Sequence, residues 1–119
     1  MSLSAESGIR EAINYYAEGM GTANVEILKE AFHQPAILCD YLDDEMIASP
    51  IEGLDWVSSN SSPEVFNLSI LAIEVAGRFA AATVRETDSH GDVIDYFHLL
   101  KDKDRWWIVS KLWDAETSE

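Results

Sequence analysis

The sequence has little of three things: basic residues, cysteine and long apolar runs. Only 8 Lys and Arg stand against 22 Asp and Glu, which gives a formal net charge of −14. Nucleic acids and anionic membrane surfaces attract basic proteins, so we expect neither as a partner. The single cysteine, Cys39, excludes an intramolecular disulfide and suits a reducing compartment.

Targeting signals and membrane spans are absent from the pattern as well. The first residues show neither the basic nor the apolar region of a signal peptide. No apolar run approaches the roughly 20 residues that a membrane-spanning helix needs. A chain of this length accommodates one hydrophobic core. We therefore expect a cytoplasmic protein with a single domain over residues 1–119.

Motifs for metals, phosphates and covalent catalysis are also missing. His33, His90 and His98 have no metal-ligand spacing, and one cysteine cannot form a Cys/His cluster with them. The sequence contains no phosphate-binding loop and no serine-hydrolase motif. We expect neither a metal nor a cofactor.

The pattern predicts three helices, all of them in the first half of the chain. Apolar residues recur at helical spacing over residues 4–20, and a second, shorter helix ends before Pro35. Ser49, Pro50 and Glu52 have the arrangement of a capping box with proline at the first helical position. This box predicts a third helix that runs through Trp56.

Strands account for most of the remainder. Residues 36–41 and 45–48 predict a pair of strands around a turn at Asp43 and Asp44. Four longer strands follow; they cover residues 65–75, 79–87 and the two halves of 91–113. Helices followed by a run of strands are typical of an α+β protein with helices on one side of an antiparallel sheet.

Charged residues interrupt the apolar faces of the last two strands. Strict alternation places Asp95 on one face with Phe97 and Leu99. It places Lys111 on one face with Trp107, Val109 and Trp113. A charge on an apolar face is costly unless it is paired, neutralised or faces a cavity. Asp95 and Lys111 should therefore be paired, neutralised or facing a cavity.

This order of elements resembles the NTF2-like superfamily, and within it the SnoaL-like and lumazine-binding groups. The segment Phe32-His33-Gln34-Pro35-Ala36 and residues 107–113 carry the resemblance. It implies a cystatin-like α+β cone, in which three N-terminal helices pack on a strongly curved, mainly antiparallel sheet. It also implies a pocket for a small organic ligand, but a shared fold does not determine a reaction. The candidate ligand-binding residues of this pocket are Lys111, Trp113, Phe97, Trp56 and Trp107.

A more distant resemblance to ketosteroid isomerase suggests catalytic roles for three residues. Residues 12–40 align with that family without a gap, which places Tyr16 at its oxyanion-hole tyrosine and Asp40 at its general base. Asp95 aligns with the neutral aspartic acid that completes the oxyanion hole. The resemblance implies cofactor-independent acid–base chemistry on a carbonyl compound, as in an isomerase, cyclase or dehydratase.

Structural roles for the same residues remain open. Tyr16 is equally well read as a core tyrosine, and Asp40 as the residue that ends its strand. Asp95 can be a structural ion-pair partner of Lys111, Arg78, Arg85 or Lys101. Pairing with Lys111 would remove the neutral donor that enolisation requires. In that case the protein is a non-catalytic ligand-binding domain.

The sheet surface offers a third alternative, an interaction module. Trp106 and Trp107 are adjacent, so in a regular strand they point to opposite faces. Trp106, Ile108 and Leu112 then form an apolar patch on the outer face. This patch predicts a homodimer through the sheet surface.

Overall fold

The computed structural model describes residues 5–50, 67–88 and 91–115. Two helices come first in the chain, α1 over Ala5–Thr22 and α2 over Val25–Leu28. Six strands follow: β1 Phe32–Leu42, β2 Glu45–Pro50, β3 Asn67–Ala76, β4 Phe79–Asp88, β5 Gly91–Asp102 and β6 Arg105–Ala115. The protein is therefore an α+β domain, as the sequence pattern predicts. Among the described residues, no helix is both long and apolar enough to cross a membrane.

Helix α1 supplies one side of the core. Its buried residues, Ile9, Ala12, Ile13 and Tyr16, recur at intervals of three and four, so they form one stripe along the helix. The short helix α2 is capped by Asn24, whose side chain accepts a hydrogen bond from the backbone N–H of Ile27. Because Tyr16 belongs to the buried stripe of α1, it lies on the side of this helix that faces the sheet.

The six strands form one curved, open sheet in the order β2-β1-β6-β5-β4-β3. Strands β1 and β6 are parallel, and every other neighbouring pair is antiparallel. We call the face that packs on α1 the inner face and the opposite one the outer face. The core lies between α1 and the inner face, to which β4 and β5 contribute alternate residues such as Val84, Phe97 and Leu99.

Strand β2 is longer than the sequence pattern predicts. It continues to Pro50, which pairs with Ile37 of β1. The prediction that Ser49 and Pro50 open a helix is therefore wrong. Proline is tolerated here because β2 is an edge strand, where its missing N–H does not interrupt the sheet. The rest of the predicted third helix, including Trp56, lies outside the described residues.

A β-bulge in β6 changes which side chains face inward. His98 pairs with Ser110 but Leu99 pairs with Ile108, so Val109 is an extra residue opposite β5. Trp106 and Ile108 point inward before the bulge, and Lys111 points inward after it. Strict alternation predicts Trp107 and Val109 on the face of Lys111, and this prediction is wrong because the bulge shifts the pattern by one residue.

The same bulge overturns the apolar patch expected on the outer face. Trp106 is 3% exposed and Ile108 is fully buried, whereas Leu112 is exposed as predicted. Trp106 lies so close to α1 that a Cβ on Gly8 would come within 2.7 Å of its Cδ1 atom. Trp106 and Ile108 are thus core residues and cannot mediate association.

Candidate functional site

Four polar side chains meet on the inner face of the sheet. They are Tyr16 of α1, Glu86 of β4, Asp95 of β5 and Lys111 of β6, and we call them the inner-face cluster. Tyr16 and Asp95 are at most 1% exposed, and Glu86 and Lys111 are 8% exposed. Burial of this many polar groups is unusual for a core that otherwise consists of apolar side chains.

Strand pairing explains why the cluster forms at this place. Asp95 pairs with Val84 on one side and with Trp113 on the other, and Phe97 pairs with Lys111. The inward residues of three neighbouring strands therefore lie side by side. Tyr16 reaches them from α1, and its ring packs edge-to-face on Phe97 with a centroid distance of 5.0 Å.

A chain of hydrogen bonds links three of the four side chains. The Lys111 ammonium donates to Tyr16 Oη at 2.5 Å, and the Tyr16 hydroxyl donates to Glu86 Oε2 at 2.6 Å. Lys111 Nζ also lies 3.7 Å from Glu86 Oε2, so the two residues at the ends of this chain of hydrogen bonds form an ion pair. The Tyr16 proton is directed at Glu86 and is not available to an oxyanion in this arrangement.

Asp95 differs from the other members of the cluster. Its side chain is completely buried, and neither carboxyl oxygen has a hydrogen-bond partner within the described part of the chain. Lys111 Nζ lies 4.0 Å from Oδ1, which is close enough for an ion pair but too long for a hydrogen bond. Leaving a buried polar group without a hydrogen bond costs about 1–3 kcal/mol, and more for a charged group.

Aromatic rings surround the Lys111 ammonium. Its Nζ lies 4.7 Å from the centroid of the Tyr16 ring and 4.6 Å from that of the Trp113 ring. Both distances allow cation–π attraction, which strengthens when the cation is removed from water. The aromatic rings and the Glu86 carboxylate therefore stabilise a charged lysine in a largely apolar setting.

Burial raises the pKa of Tyr16 well above its ordinary value, and the Glu86 charge and the hydrogen bond to Glu86 raise it further. Because the folded state holds the proton more tightly, this contribution to stability is complete below the ordinary tyrosine pKa and is lost as the pH rises through the raised one. We predict that the native protein and its Tyr16→Phe variant give the same phenolate absorbance titration up to the pH of unfolding. An additional tyrosine that titrates in the native wild-type protein would contradict this prediction.

The structure brings together most of the residues that the sequence singles out. Tyr16, Asp95, Lys111, Phe97 and Trp113 all lie at or beside the inner-face cluster. Their roles as catalytic or ligand-binding residues remain predictions.

The other three predicted site residues are not seen at the inner-face cluster. Trp107 lies on the outer face, where it stacks on Arg105 at 4.0 Å and contacts His33. Asp40 belongs to β1 and pairs with Ile47, but its side chain is outside the described part of the structure, as is Trp56.

Sequence reasoning missed Glu86. In β4 the inward residues Ala80, Ala82 and Val84 alternate regularly, and Glu86 continues the series. It is therefore a charged residue on an apolar face, the same signal that identifies Asp95. Its pairing with Tyr16 could not be read from this pattern, because the two residues lie 70 positions apart in sequence.

Comparison with known proteins identifies the family. Residues 4–114 match the model of the family described as "Putative lumazine-binding". The chain belongs to this family. It is a member of the NTF2-like superfamily, consistent with the α+β architecture and the open, curved sheet. No curated protein sequence matches the chain.

Several solved structures share the fold. An NTF2-like protein of unknown function from Shewanella baltica is 28% identical, with a TM-score of 0.87 and coverage of 95% of this chain and 94% of that one. A second from Methylobacillus flagellatus is 27% identical, with a TM-score of 0.85 and coverage of 98% and 96%. A Nostoc punctiforme domain of unknown function with a cystatin-like fold is 13% identical, with a TM-score of 0.78 and coverage of 99% and 81%. This last likeness shows the fold alone.

Proposed function

We propose that this protein binds a small organic molecule at the inner-face cluster. The observation that carries the proposal is the fully buried Asp95, whose carboxyl oxygens have no hydrogen-bond partner among the described residues. Buried polar groups in folded proteins are nearly always hydrogen-bonded, so this exception favours a binding site whose ligand hydrogen-bonds to Asp95. The description of the family as lumazine-binding supports a flat, polar heterocycle as the first ligand to test.

The neighbours of the cluster suit such a ligand. Trp113 is half-buried beside Lys111, and Phe97 packs beneath Tyr16. Small-molecule sites in proteins are mostly apolar and aromatic, with a few polar groups that set the orientation of the ligand. Lys111, Glu86 and Asp95 supply those polar groups here.

Two tryptophans of β6 offer a matched test of this proposal. Trp113 lies beside Lys111, whereas Trp107 lies on the outer face next to Arg105, and both are half-buried. We expect lumazine binding, measured by isothermal titration calorimetry, to weaken about 10-fold or more in Trp113→Leu, because a stacking surface worth about 1–3 kcal/mol is lost. The control Trp107→Leu should bind like the wild type. Equal effects of the two substitutions, or no binding by the wild-type protein, would contradict the proposal.

Acid–base chemistry on a carbonyl compound is a second candidate function. The hydrogen bonds from Lys111 through Tyr16 to Glu86 support it, because a continuous chain of this kind can move a proton. This candidate requires Asp40 as the base and a protonated Asp95 as the donor to the developing oxyanion. The reaction would be an isomerisation, cyclisation or dehydration that needs no cofactor.

The test of this second candidate is proton exchange at the carbon next to a carbonyl. We expect the wild-type protein to accelerate the exchange of deuterium from the solvent into a β,γ-unsaturated ketone. Proton NMR measures the rate of this exchange. Asp40→Asn should abolish the acceleration and leave the melting temperature nearly unchanged. A wild-type protein without any acceleration would remove support for catalysis and leave the binding proposal intact.

The outer face supports a proposal about assembly, namely that two copies of the chain associate there. A groove of about 290 Å³ on this face is bordered mainly by apolar residues of β1, β2, β5 and β6: Cys39, Tyr41, Met46, Ile94, Tyr96 and Leu112, with Trp113 and Ala115 at its edge. Tyr41 and Met46 are 61% and 80% exposed, and Asp114 is the charged residue at the border. Two copies of a protein with a net charge of −14 repel each other least where they meet through an uncharged surface.

Light scattering coupled to size-exclusion chromatography tests this assembly. We expect a dimer for the wild-type protein and a monomer for Tyr96→Glu, because a carboxylate buried at a self-associating surface is repelled by its copy. The control is Phe79→Glu, which places the same charge at an exposed aromatic residue outside the groove. A monomeric wild-type protein at micromolar concentration would contradict the proposal.

A further inference from the structure

We infer that Asp95 is held as a carboxylate and accepts hydrogen bonds from N–H groups of the ligand, so that the site selects nitrogen heterocycles with unsubstituted ring N–H groups. This inference rests on the proposed binding function and adds the chemical class of the ligand. It departs from the resemblance to ketosteroid isomerase, which assigns Asp95 the opposite role of a neutral donor.

In either protonation state, the Asp95 carboxyl group lacks a hydrogen-bond partner among the described residues. A neutral acid would have a buried O–H without an acceptor, and a carboxylate has two buried oxygens without a donor. The choice between the two states therefore depends on the charges nearby. Complete burial favours the neutral form, whereas the Lys111 ammonium, which lies 4.0 Å from Oδ1 and is shared with Glu86 at 3.7 Å, favours the charged form. The attraction to this ammonium prevails because Lys111 is itself buried, so that water screens it little.

The charge state determines what the ligand must present. A carboxylate only accepts hydrogen bonds, so a ligand beside Asp95 has to supply donors. Ring N–H groups of amides, imides and related heterocycles are such donors, and they hydrogen-bond strongly to an ionised acceptor. A ketone without N–H groups would leave both Asp95 oxygens unsatisfied.

Strand pairing places an aromatic surface next to this acceptor. Asp95 and Trp113 are direct partners across β5 and β6, so their side chains leave the sheet next to each other on the inner face. Trp113 is half-buried, whereas Asp95 is completely buried. A flat ring on Trp113 can therefore direct its N–H edge inward at Asp95.

The experiment compares lumazine with an analogue in which methyl groups replace the two ring N–H hydrogens. Lumazine has two ring N–H groups in its pyrimidinedione ring, and both are methylated in 1,3-dimethyllumazine. We expect the wild-type protein to bind lumazine about 10- to 100-fold more tightly than the dimethyl compound, measured by calorimetry, because hydrogen bonds to a charged acceptor are lost. Asp95→Asn should weaken lumazine binding by a similar factor and leave the affinity for the dimethyl compound unchanged.

The possible outcomes separate the inference from the binding proposal. Equal affinity of the wild-type protein for both probes would overturn the inference and leave the binding proposal standing. An equal loss for both probes in Asp95→Asn would also overturn it, since Asp95 would then act through the structure of the site. Failure of both probes to bind would overturn both proposals. If Asp95→Asn does not fold, Asp95→Ser takes its place in the same comparison, because the methyl groups also add bulk and only a variant at Asp95 separates the two effects.

Discussion

Replacing Lys111 with methionine should lower the free energy of unfolding by about 3–5 kcal/mol. The ammonium is 8% exposed, donates to Tyr16 and lies within 4.0 Å of the carboxylates of Glu86 and Asp95. Methionine has similar length but no charge, so the two buried carboxylates lose their nearby cation. Removing one partner of a buried ion pair is costly because the remaining charge stays out of water. Urea denaturation at neutral pH measures the effect.

A second variant separates charge from packing in this experiment. In the double variant Glu86→Gln/Lys111→Met, one carboxylate is removed together with the lysine, so we expect the protein to recover part of the lost stability. A loss below about 1 kcal/mol in Lys111→Met would indicate a solvated surface ion pair and contradict the buried cluster.

Replacing Trp106 with alanine should cost about 3–5 kcal/mol of stability, as large-to-small substitutions of core aromatic residues do. Trp106 is 3% exposed, and its ring lies against α1 at Gly8 with no space for a Cβ between them. Truncation would leave a cavity between the helix and the sheet. The melting temperature and urea denaturation both report this loss.

The adjacent tryptophan is the matched control. Trp107 lies on the outer face, where its ring stacks on the guanidinium of Arg105 at 4.0 Å. Such cation–π contacts contribute about 0.5–1 kcal/mol at exposed sites, so Trp107→Ala should cost little. Equal losses of stability in the two variants, or a larger loss in Trp107→Ala, would contradict the assignment of Trp106 to the inner face and Trp107 to the outer face.

The element types were largely predictable because they depend on short-range patterns. Helical spacing over residues 4–20 predicts α1, and alternation with turn residues predicts the strands that become β3, β4, β5 and β6. The failure at Ser49 and Pro50 has a physical reason. A capping box and an edge strand that ends in proline look alike in sequence, and only pairing with Ile37 distinguishes them.

Half of the site was predictable by the same reasoning. Asp95 and Lys111 are charged residues within apolar strands, and the energetic cost of such positions indicates them without any structure. Glu86 carries the same signal in β4. The resemblance to known families adds Tyr16, but the hydrogen bond it donates to Glu86 differs from the oxyanion-hole role that the resemblance implies.

The sequence alone determined the α+β class, the strand content and the presence of charge in the core, because these properties follow from periodicity over a few residues. The tertiary structure decided two other matters. The bulge at Val109 reverses the faces of β6, and an extra residue in a strand is defined only by the partner strand it pairs with. The hydrogen bonds of Tyr16 with Glu86 and Lys111 join residues 70 and 95 positions apart, and no local pattern encodes such a distance.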